Sequence, residues 1–408
     1  MSQRKSGWSW IGQRRLTLEA LESRWNPSSV RFHDGSLVVL GTAGADTVTI
    51  ADNGSGQLTV TYDNTANGGG GGHNGSGSGA SAASGNNGSN GSNGSNGSDS
   101  NDGGGGGGLP PGPTTQTFTG VDRVVFLGFG GNDTLNYTLS GQLTGEQAIF
   151  ADLGSGNDQA NFDFRAGVAD GAELRVGVSG GQGDDTVTAR FGAVAGEVDF
   201  GAALGGGNDT LNVPEIGALT GEADVRLAAS GGAGQDQMTV SAQGAIDADA
   251  ELDIRLDGGR DNDTFTVNAT GAVNGEASIR VKAGAGDDTA TVTATGAVGA
   301  DGELSIRLDG GGGVDNLTTS YTGDLDGRLD LRANGGDGND TVRTDATLST
   351  GSTGDVRARV LGGRGDDTLR LMVTEPTPDT TDVDAILDGG DGTDTATAGA
   401  NVTVLNVP

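Results

Sequence analysis

Hydrophobic and polar residues alternate along short stretches of the chain between residues 117 and 400, and these stretches recur in pairs. In one pair, Phe265 and Val267 occupy alternate positions of the first stretch, and Ala277 and Ile279 occupy alternate positions of the second. A period of two is typical of β-strands that bury one face. Glycine-rich segments separate the stretches and predict turns. Each repeat is therefore predicted to run strand, turn, strand, turn.

One of the two turns in each repeat has a recurring sequence that ends in aspartate. Residues 180–185 read GGQGDD, residues 335–340 read GGDGND and residues 362–367 read GGRGDD, and a threonine follows each copy. The closing aspartates are 24 to 27 residues apart, and they are Asp133, Asp158, Asp185, Asp209, Asp236, Asp263, Asp288, Asp315, Asp340, Asp367 and Asp394. A fixed period of this length indicates one supersecondary unit stacked repeatedly. We therefore expect an all-β chain forming a parallel β-solenoid, similar to a β-roll, with about 26 residues, two strands and one Gly/Asp-rich corner per coil.

The sequence divides into four parts. Residues 1–29 form an N-terminal segment in which residues 14–25 predict a short amphipathic helix, and this segment is a candidate targeting signal. Residues 30–63 predict a β unit with a first, looser copy of the acidic corner that closes at Asp46. Residues 64–116 are mostly Gly, Ser and Asn, a composition that predicts a disordered insertion. Residues 117–408 are predicted to form the solenoid.

Charge and composition narrow the class of partner. The 408 residues contain 55 Asp and Glu against 23 Lys and Arg, which gives a formal net charge of −32. Nucleic acids and anionic membranes bind basic surfaces, so this balance argues against both and favours cations. The chain has no Cys, only two His and no apolar run as long as a membrane span. Because thiolate and histidine chemistry are so poorly supplied, we expect no enzymatic activity.

The acidic corner offers a set of oxygen donors. Glycine permits the positive φ angles that turn backbone carbonyls towards one point, and the closing aspartate adds a carboxylate. In some copies the preceding position supplies a second carboxylate, from Asp184, Asp287 or Asp366. Carbonyl and carboxylate oxygens without nitrogen or sulfur donors suit a hard cation such as Ca²⁺. Stacked carboxylates about 4.8 Å apart repel each other by roughly 1–3 kcal/mol per pair, so the row is predicted to need several cations in order to fold.

The motif Gly-Gly-x-Gly-x-Asp resembles the calcium-binding repeat of the RTX, or haemolysin-type, protein family. Close copies end at Asp185, Asp315, Asp340, Asp367 and Asp394, and looser copies end at Asp46, Asp133, Asp158, Asp209, Asp236, Asp263 and Asp288. The resemblance implies a parallel β-roll, calcium held between adjacent turns by carbonyls and the motif aspartate, and a secreted or cell-surface bacterial protein. The family repeats its motif about every nine residues. Here the motif appears once per coil, so we expect a single row of ions and a metal-free opposite corner.

Two other interpretations stay open at this point. Gly-Asp turns also close β-strands without any bound ion, so the corner is consistent with a purely structural turn. In the second strand of many coils an arginine is predicted to face outward, for example Arg255, Arg280 and Arg307, and the first strand carries outward threonines. These faces predict an alternative function, a surface adhesin or spacer that binds acidic polysaccharide or other cell-surface components.

Overall fold

The computed structural model describes residues 29–62, 113–375 and 381–407. Within these ranges the chain forms 28 β-strands and no helix. The same ranges accordingly contain no helix able to cross a membrane. The helix predicted at residues 14–25 and nearly all of the Gly/Ser/Asn insertion lie outside the described residues.

The strands form two sheets of 14 strands each. The first sheet contains, in spatial order, β1 (Ser29–His33), β2 (Ser36–Leu40), β6 (Arg123–Leu127), β8 (Glu146–Ser155), β10 (Glu173–Gln182), β12 (Glu197–Gly206), β14 (Asp224–Ala233), β16 (Glu251–Arg260), β18 (Glu276–Ala285), β20 (Glu303–Gly312), β22 (Arg328–Asp337), β24 (Asp355–Arg364), β26 (Asp382–Asp391) and β28 (Val402–Leu405). The second sheet contains β5 (Thr114–Thr119), β4 (Gln57–Tyr62), β3 (Thr47–Asp52), β7 (Thr134–Leu139), β9 (Gln159–Phe164), β11 (Thr186–Phe191), β13 (Thr210–Ile216), β15 (Gln237–Ala242), β17 (Thr264–Ala269), β19 (Thr289–Thr295), β21 (Asn316–Gly323), β23 (Thr341–Leu348), β25 (Thr368–Thr374) and β27 (Thr395–Ala398).

From β6 onward the chain passes alternately between the two sheets, so each coil contributes one strand to each of them. Each such strand pairs in parallel with the equivalent strand of the coil before it and, up to β25 and β26, with that of the coil after it. Leu174 of β10, for example, lies opposite Val198 of β12, which lies opposite Val225 of β14. The first-sheet strands from β8 to β26 are ten residues long and run through the first two positions of the motif, which are paired glycines in most coils. The predicted parallel β-solenoid with two strands per coil is confirmed.

The core is a thin layer of side chains between the two sheets. Alternate residues of each coil point into it as predicted, and Phe265, Val267, Ala277 and Ile279 are all at most 2% exposed. Aliphatic side chains fill most of the layer, and nine of its buried side chains are aromatic. Each large apolar side chain buried in this way contributes roughly 1.5–3 kcal/mol to stability.

The corner opposite the acidic one is also built by stacking. One hydrophobic residue per coil forms a β-bridge with its equivalent in the next coil, in the row Leu143, Val168, Val194, Leu219, Ile246, Val273, Val298 and Leu325. We call this the apolar row, and each of its members is at most 5% exposed. The sequence predicted only a turn here, because a single residue per coil is too short to give an alternating pattern.

The N-terminal end of the solenoid departs from the parallel arrangement. Strands β2 and β3 pair in parallel with β6 and β7, so the N-terminal β unit stacks directly on the following coil. In contrast, β1 runs antiparallel to β2, and β4 and β5 extend the second sheet as antiparallel strands. Tyr62 lies opposite Thr114, so the two ends of the insertion leave the fold side by side. These antiparallel strands cover one end of both parallel sheets.

Candidate metal centre

Close contact between successive coils explains the glycines of the acidic corner. Gly181 has φ +112° and Gly183 has φ +116°, values that residues with a side chain rarely adopt. A Cβ atom at Gly181 would lie 1.9 Å from the carbonyl oxygen of Gly154, and one at Gly183 would lie 2.1 Å from that of Gly156. The glycines are therefore needed for backbone stacking between coils as well as for the turn within each coil.

The closing aspartates lie inside the corner and not on its surface. Asp185 is 1% exposed, and the other closing residues from Asp46 to Asp394 are at most 6% exposed. In most motifs the first glycine leaves the space for this side chain: a Cβ atom at Gly180 would lie 2.6 Å from Oδ2 of Asp185. The motifs that close at Asp158, Asp209 and Asp288 have Leu153, Leu204 and Ala283 at this position instead. We call the closing aspartates the inner row.

A continuous chain of hydrogen bonds links the inner row. The backbone N–H of Asp158 donates to Oδ1 of Asp185 at 2.8 Å, and the N–H of Asp185 donates to Oδ1 of Asp209 at 2.7 Å. The same bond joins every consecutive pair from Asp46 to Asp394, with lengths of 2.6 to 2.9 Å. Each carboxylate therefore satisfies the N–H of the coil before it.

The second carboxylate oxygen of the inner row has no such partner. Among the described residues no hydrogen-bond donor contacts the buried Oδ2 atom of any closing aspartate from Asp133 to Asp394. Asp46 differs, because its Oδ2 accepts hydrogen bonds from the backbone N–H of Thr42 at 2.5 Å and from the Thr42 hydroxyl at 3.0 Å. Buried polar atoms are nearly always paired in native proteins, so a row of eleven unpaired oxygens calls for a ligand or a proton.

Burial changes the acidity of these carboxyls. Desolvation is the largest cause and raises the pKa, whereas the hydrogen bond from the preceding coil lowers it and repulsion from neighbouring aspartates raises it at most positions. The pKa is raised to about 7 for Asp133, Asp185 and Asp263, to about 6 for Asp236, Asp315 and Asp367, and in the same direction for Asp158, Asp209, Asp288 and Asp340. Near neutral pH the six carboxyls with a pKa of about 6 or 7 are thus poised between binding protons and binding cations.

The residues that precede the inner row form a second, exposed row. Asp184 accepts a 2.7 Å hydrogen bond at Oδ1 from the N–H of Asn208 in the following coil, and Asn157 accepts one from Asp184. Asp287 and Asp366 accept the equivalent bonds from Val314 and Thr393. In this outer row each N–H donates to the coil before it, whereas in the inner row each N–H donates to the coil after it. It places the predicted ligands Asp184, Asp287 and Asp366 on the solvent side of the corner.

The donor set fits a hard cation, with a limit on the number of acidic ligands. The available atoms are the unpaired Oδ2 oxygens and the carbonyls of a glycine-rich backbone, which are the donors that Ca²⁺ accepts. The described residues contain no group of three or more His, Cys, Asp or Glu side chains that could together hold a metal ion. A bound ion would therefore rely on one or two carboxylates together with backbone carbonyls and water. Affinity in the weak, extracellular range, with Kd of about 10⁻⁴–10⁻³ M, is the expectation for such a site.

The comparisons with known proteins add no relative to this picture. No protein-family model, curated protein or solved structure matches the chain. The resemblance to haemolysin-type repeats therefore stays a prediction from the motif residues alone.

Proposed function

We propose that the acidic corner binds a row of Ca²⁺ ions and that ion binding favours the stacked coils over the open chain. The observation that carries the proposal is the inner row, in which eleven buried Oδ2 atoms lie in register with no hydrogen-bond donor. An uncompensated buried carboxylate is costly, and a cation is one of the few ligands that compensates a whole row.

The residues have distinct parts in this function. The inner aspartates from Asp133 to Asp394 would supply Oδ2 while Oδ1 keeps its bond to the neighbouring N–H. Motif glycines allow the coils to approach, so that one closing carboxylate follows the next along the corner. Asp46 is the least suited member because Thr42 already occupies its Oδ2. The bound ion would supply positive charge between coils, which removes the repulsion within the row.

Such a protein would respond to the calcium difference between the inside and the outside of a cell. Weak sites stay empty at low calcium and fill at millimolar calcium, and the free energy of binding then adds to the free energy of folding. A secreted or cell-surface location is consistent with this behaviour, and we include it in the proposal.

The test is a calcium titration of the EDTA-treated protein at pH 7.5, followed by circular dichroism, thermal melting and calorimetry. We expect calcium to raise the β signal and Tm cooperatively and to bind with several ions per chain. Magnesium is expected to act more weakly, because it tolerates the irregular coordination of such a corner poorly. An EDTA-treated protein that is fully folded, with no heat of calcium binding and no change in Tm, would overturn the proposal.

Two matched triple variants test whether calcium binds at the inner row. Asp236→Asn, Asp263→Asn and Asp288→Asn together remove three buried charges and are expected to lower the number of bound ions. The control combines Asp199→Asn, Asp257→Asn and Asp309→Asn, which removes three charges from the exposed face of the first sheet. Equal loss of calcium binding in both triple variants would indicate diffuse ion attraction by the charge of −32, not a site.

A further inference from the structure

The two outer faces of the same coils differ in their chemistry. Strands β15, β17, β19 and β21 place 14 residues on the outer face of the second sheet, from Gln237 to Thr322, and each of them is Thr, Ser, Asn or Gln. We call this surface the hydroxyl face. It carries no charged residue, in a chain with 78 charged residues and a net charge of −32.

The outer face of the first sheet is almost entirely charged in these coils. Strands β16, β18 and β20 place 12 residues outward before the paired glycines, and ten of them are Asp, Glu, Arg or Lys. Asp253 forms ion pairs with Arg255 and Arg280, and Lys282 pairs with Asp257 at 3.4 Å. This charged face therefore neutralises much of its own charge.

The preference of strands for threonine does not account for this difference. Both faces are exposed surfaces of parallel sheets in the same coils, so the same β-propensity acts on both. Charged residues reappear at both ends of the hydroxyl face, with Arg190 and Glu215 on one side and Arg343 and Arg370 on the other. The hydroxyl face thus spans four consecutive coils, and a second uncharged stretch lies at the N-terminal end of the same sheet, in β3, β4, β5 and β7.

The polar groups of the hydroxyl face are largely free to bond outside the molecule. Within this face the only side-chain hydrogen bond that the structure describes joins the Ser320 and Thr293 hydroxyls at 3.4 Å. Each hydroxyl or amide both donates and accepts hydrogen bonds. The face therefore offers a two-dimensional array of donors and acceptors, with one row per coil at a spacing of about 4.8 Å.

The shape of the face favours an extended ligand. Pairing from β15 to β21 continues without a bulge, so the outward residues stay in register over four strands. Two shallow pockets lie elsewhere, and Arg328 and Asp355 line both of them. Small molecules generally bind in concave sites, whereas a flat face suits a polymer or a solid surface.

We propose that the hydroxyl face binds an uncharged polysaccharide presented as extended chains. A neutral polyol carries hydroxyls that are also both donors and acceptors, so it matches the face group for group. It can approach a molecule of charge −32 without repulsion, and covering the face desolvates no ion. An acidic polysaccharide would instead need the charged face, where Asp253, Asp330 and Asp384 already pair with the stacked arginines.

The test is to mix the full-length protein with an insoluble polysaccharide and to measure how much protein is removed from solution. Cellulose and chitin are the uncharged probes, and calcium pectate is the acidic probe. We expect retention on at least one uncharged probe, in calcium and, if the solenoid stays folded, in EDTA as well. The proposal therefore stands or falls separately from calcium binding.

Two substitutions of equal charge locate the binding surface. Thr291→Glu adds a carboxylate at the centre of the hydroxyl face, and Ser305→Glu adds one at the centre of the charged face. We expect Thr291→Glu to weaken retention about tenfold or more, because the carboxylate must be desolvated without a partner. Ser305→Glu is expected to leave retention unchanged.

A third variant guards against a fold defect, and the outcomes separate the alternatives. Thr291→Val keeps the shape and β-propensity but removes the hydroxyl, and we expect a smaller loss of retention at an unchanged Tm. The proposal would be overturned if the native chain bound neither cellulose nor chitin. Retention on pectate that Arg280→Ala and Arg307→Ala abolish would also overturn it, since it would assign glycan binding to the charged face.

Discussion

The two corners of each coil solve the same stacking problem with opposite chemistry. At one corner the apolar row places residues such as Leu219 and Ile246 on top of one another, and aliphatic side chains need no partner beyond close contact. At the other corner the inner row stacks carboxylates such as Asp209 and Asp236 at the same interval and to the same depth.

The comparison of the two corners distinguishes residues that stabilise the coil from residues that are suited to bind a ligand. A row of aliphatic residues is sufficient to close a coil, so the carboxylates are not required for closure as such. They introduce one unpaired oxygen per coil, a feature that destabilises a fold unless something binds to it. The apolar row therefore serves as an internal reference, against which the ion and proton dependence of the acidic corner can be measured.

The largest expected effect concerns pH and arises from the inner-row carboxyls whose pKa is raised by burial. A carboxyl whose pKa rises from 3.8 in the unfolded chain to about 6 or 7 in the folded chain binds protons more tightly when folded. Protonation of these carboxyls therefore adds to the free energy of unfolding. The contribution is complete below about pH 3.8 and is lost as the pH rises through 6 to 7. In EDTA we expect Tm to fall markedly between pH 5 and pH 8, as followed by circular dichroism.

Calcium sharpens the same comparison. Because cations compete with protons for the inner row, calcium is expected to raise Tm strongly at pH 8 and weakly at pH 5. A Tm in EDTA that is constant or rises between pH 5 and pH 8 would contradict the burial of unpaired carboxylates as the source of the dependence.

Glycine substitutions compare close backbone stacking with an open turn. Gly183→Ala places Cβ 2.1 Å from the Gly156 carbonyl at a φ of +116°, so adjacent coils must separate. We expect a loss of about 3–5 kcal/mol in the free energy of unfolding. Gly221 also has a positive φ, +64°, but a Cβ there meets nothing within 4 Å. Gly221→Ala is therefore expected to cost only about 1–2 kcal/mol, and denaturant titration of both variants measures the difference.

The smallest difference between calcium and EDTA is expected from changing a single residue in each row. Leu219→Ala leaves a cavity in the apolar row and is expected to cost about 2–5 kcal/mol, equally with and without calcium. Asp236→Asn keeps an oxygen that accepts the Asp209 N–H and removes a charge, so we expect a change within about 1 kcal/mol in EDTA and a smaller gain from calcium. Thermal melting of both variants with and without calcium measures this difference. If Leu219→Ala changed the gain in Tm from calcium and Asp236→Asn did not, the assignment of calcium binding to the inner row would be wrong.

The repeated part of the fold could be predicted from the sequence because each coil reuses the same residue types at the same positions. The alternation around Phe265 and Ile279 predicts both the strands and their buried faces, and the 24–27-residue interval between aspartates predicts the stacking. The position of the acidic corner follows from the same interval.

The interior of the candidate site could not be predicted in the same way. Whether Asp185 points into the corner depends on the N–H of Asp158 in the coil before it and on the space beside Gly180, and neither is visible in one motif. From the sequence, Asp184 and Asp185 were both predicted to be metal ligands, whereas in the structure Asp185 is buried and Asp184 is exposed. Antiparallel pairing at β1, β4 and β5 was also missed, since alternation is the same for both strand directions.

The direction of the hydrogen bonds between coils has a mechanical consequence. In a solenoid these bonds lie along the long axis, so a force applied between its ends pulls directly on the contact between one coil and the next. A coil occupies about 4.8 Å of the axis when stacked, but its roughly 26 residues span about 90 Å when extended. Under tension the molecule would release chain one coil at a time, and each released coil would lengthen roughly twentyfold. A ligand that holds adjacent corners together would set the force at which this extension begins.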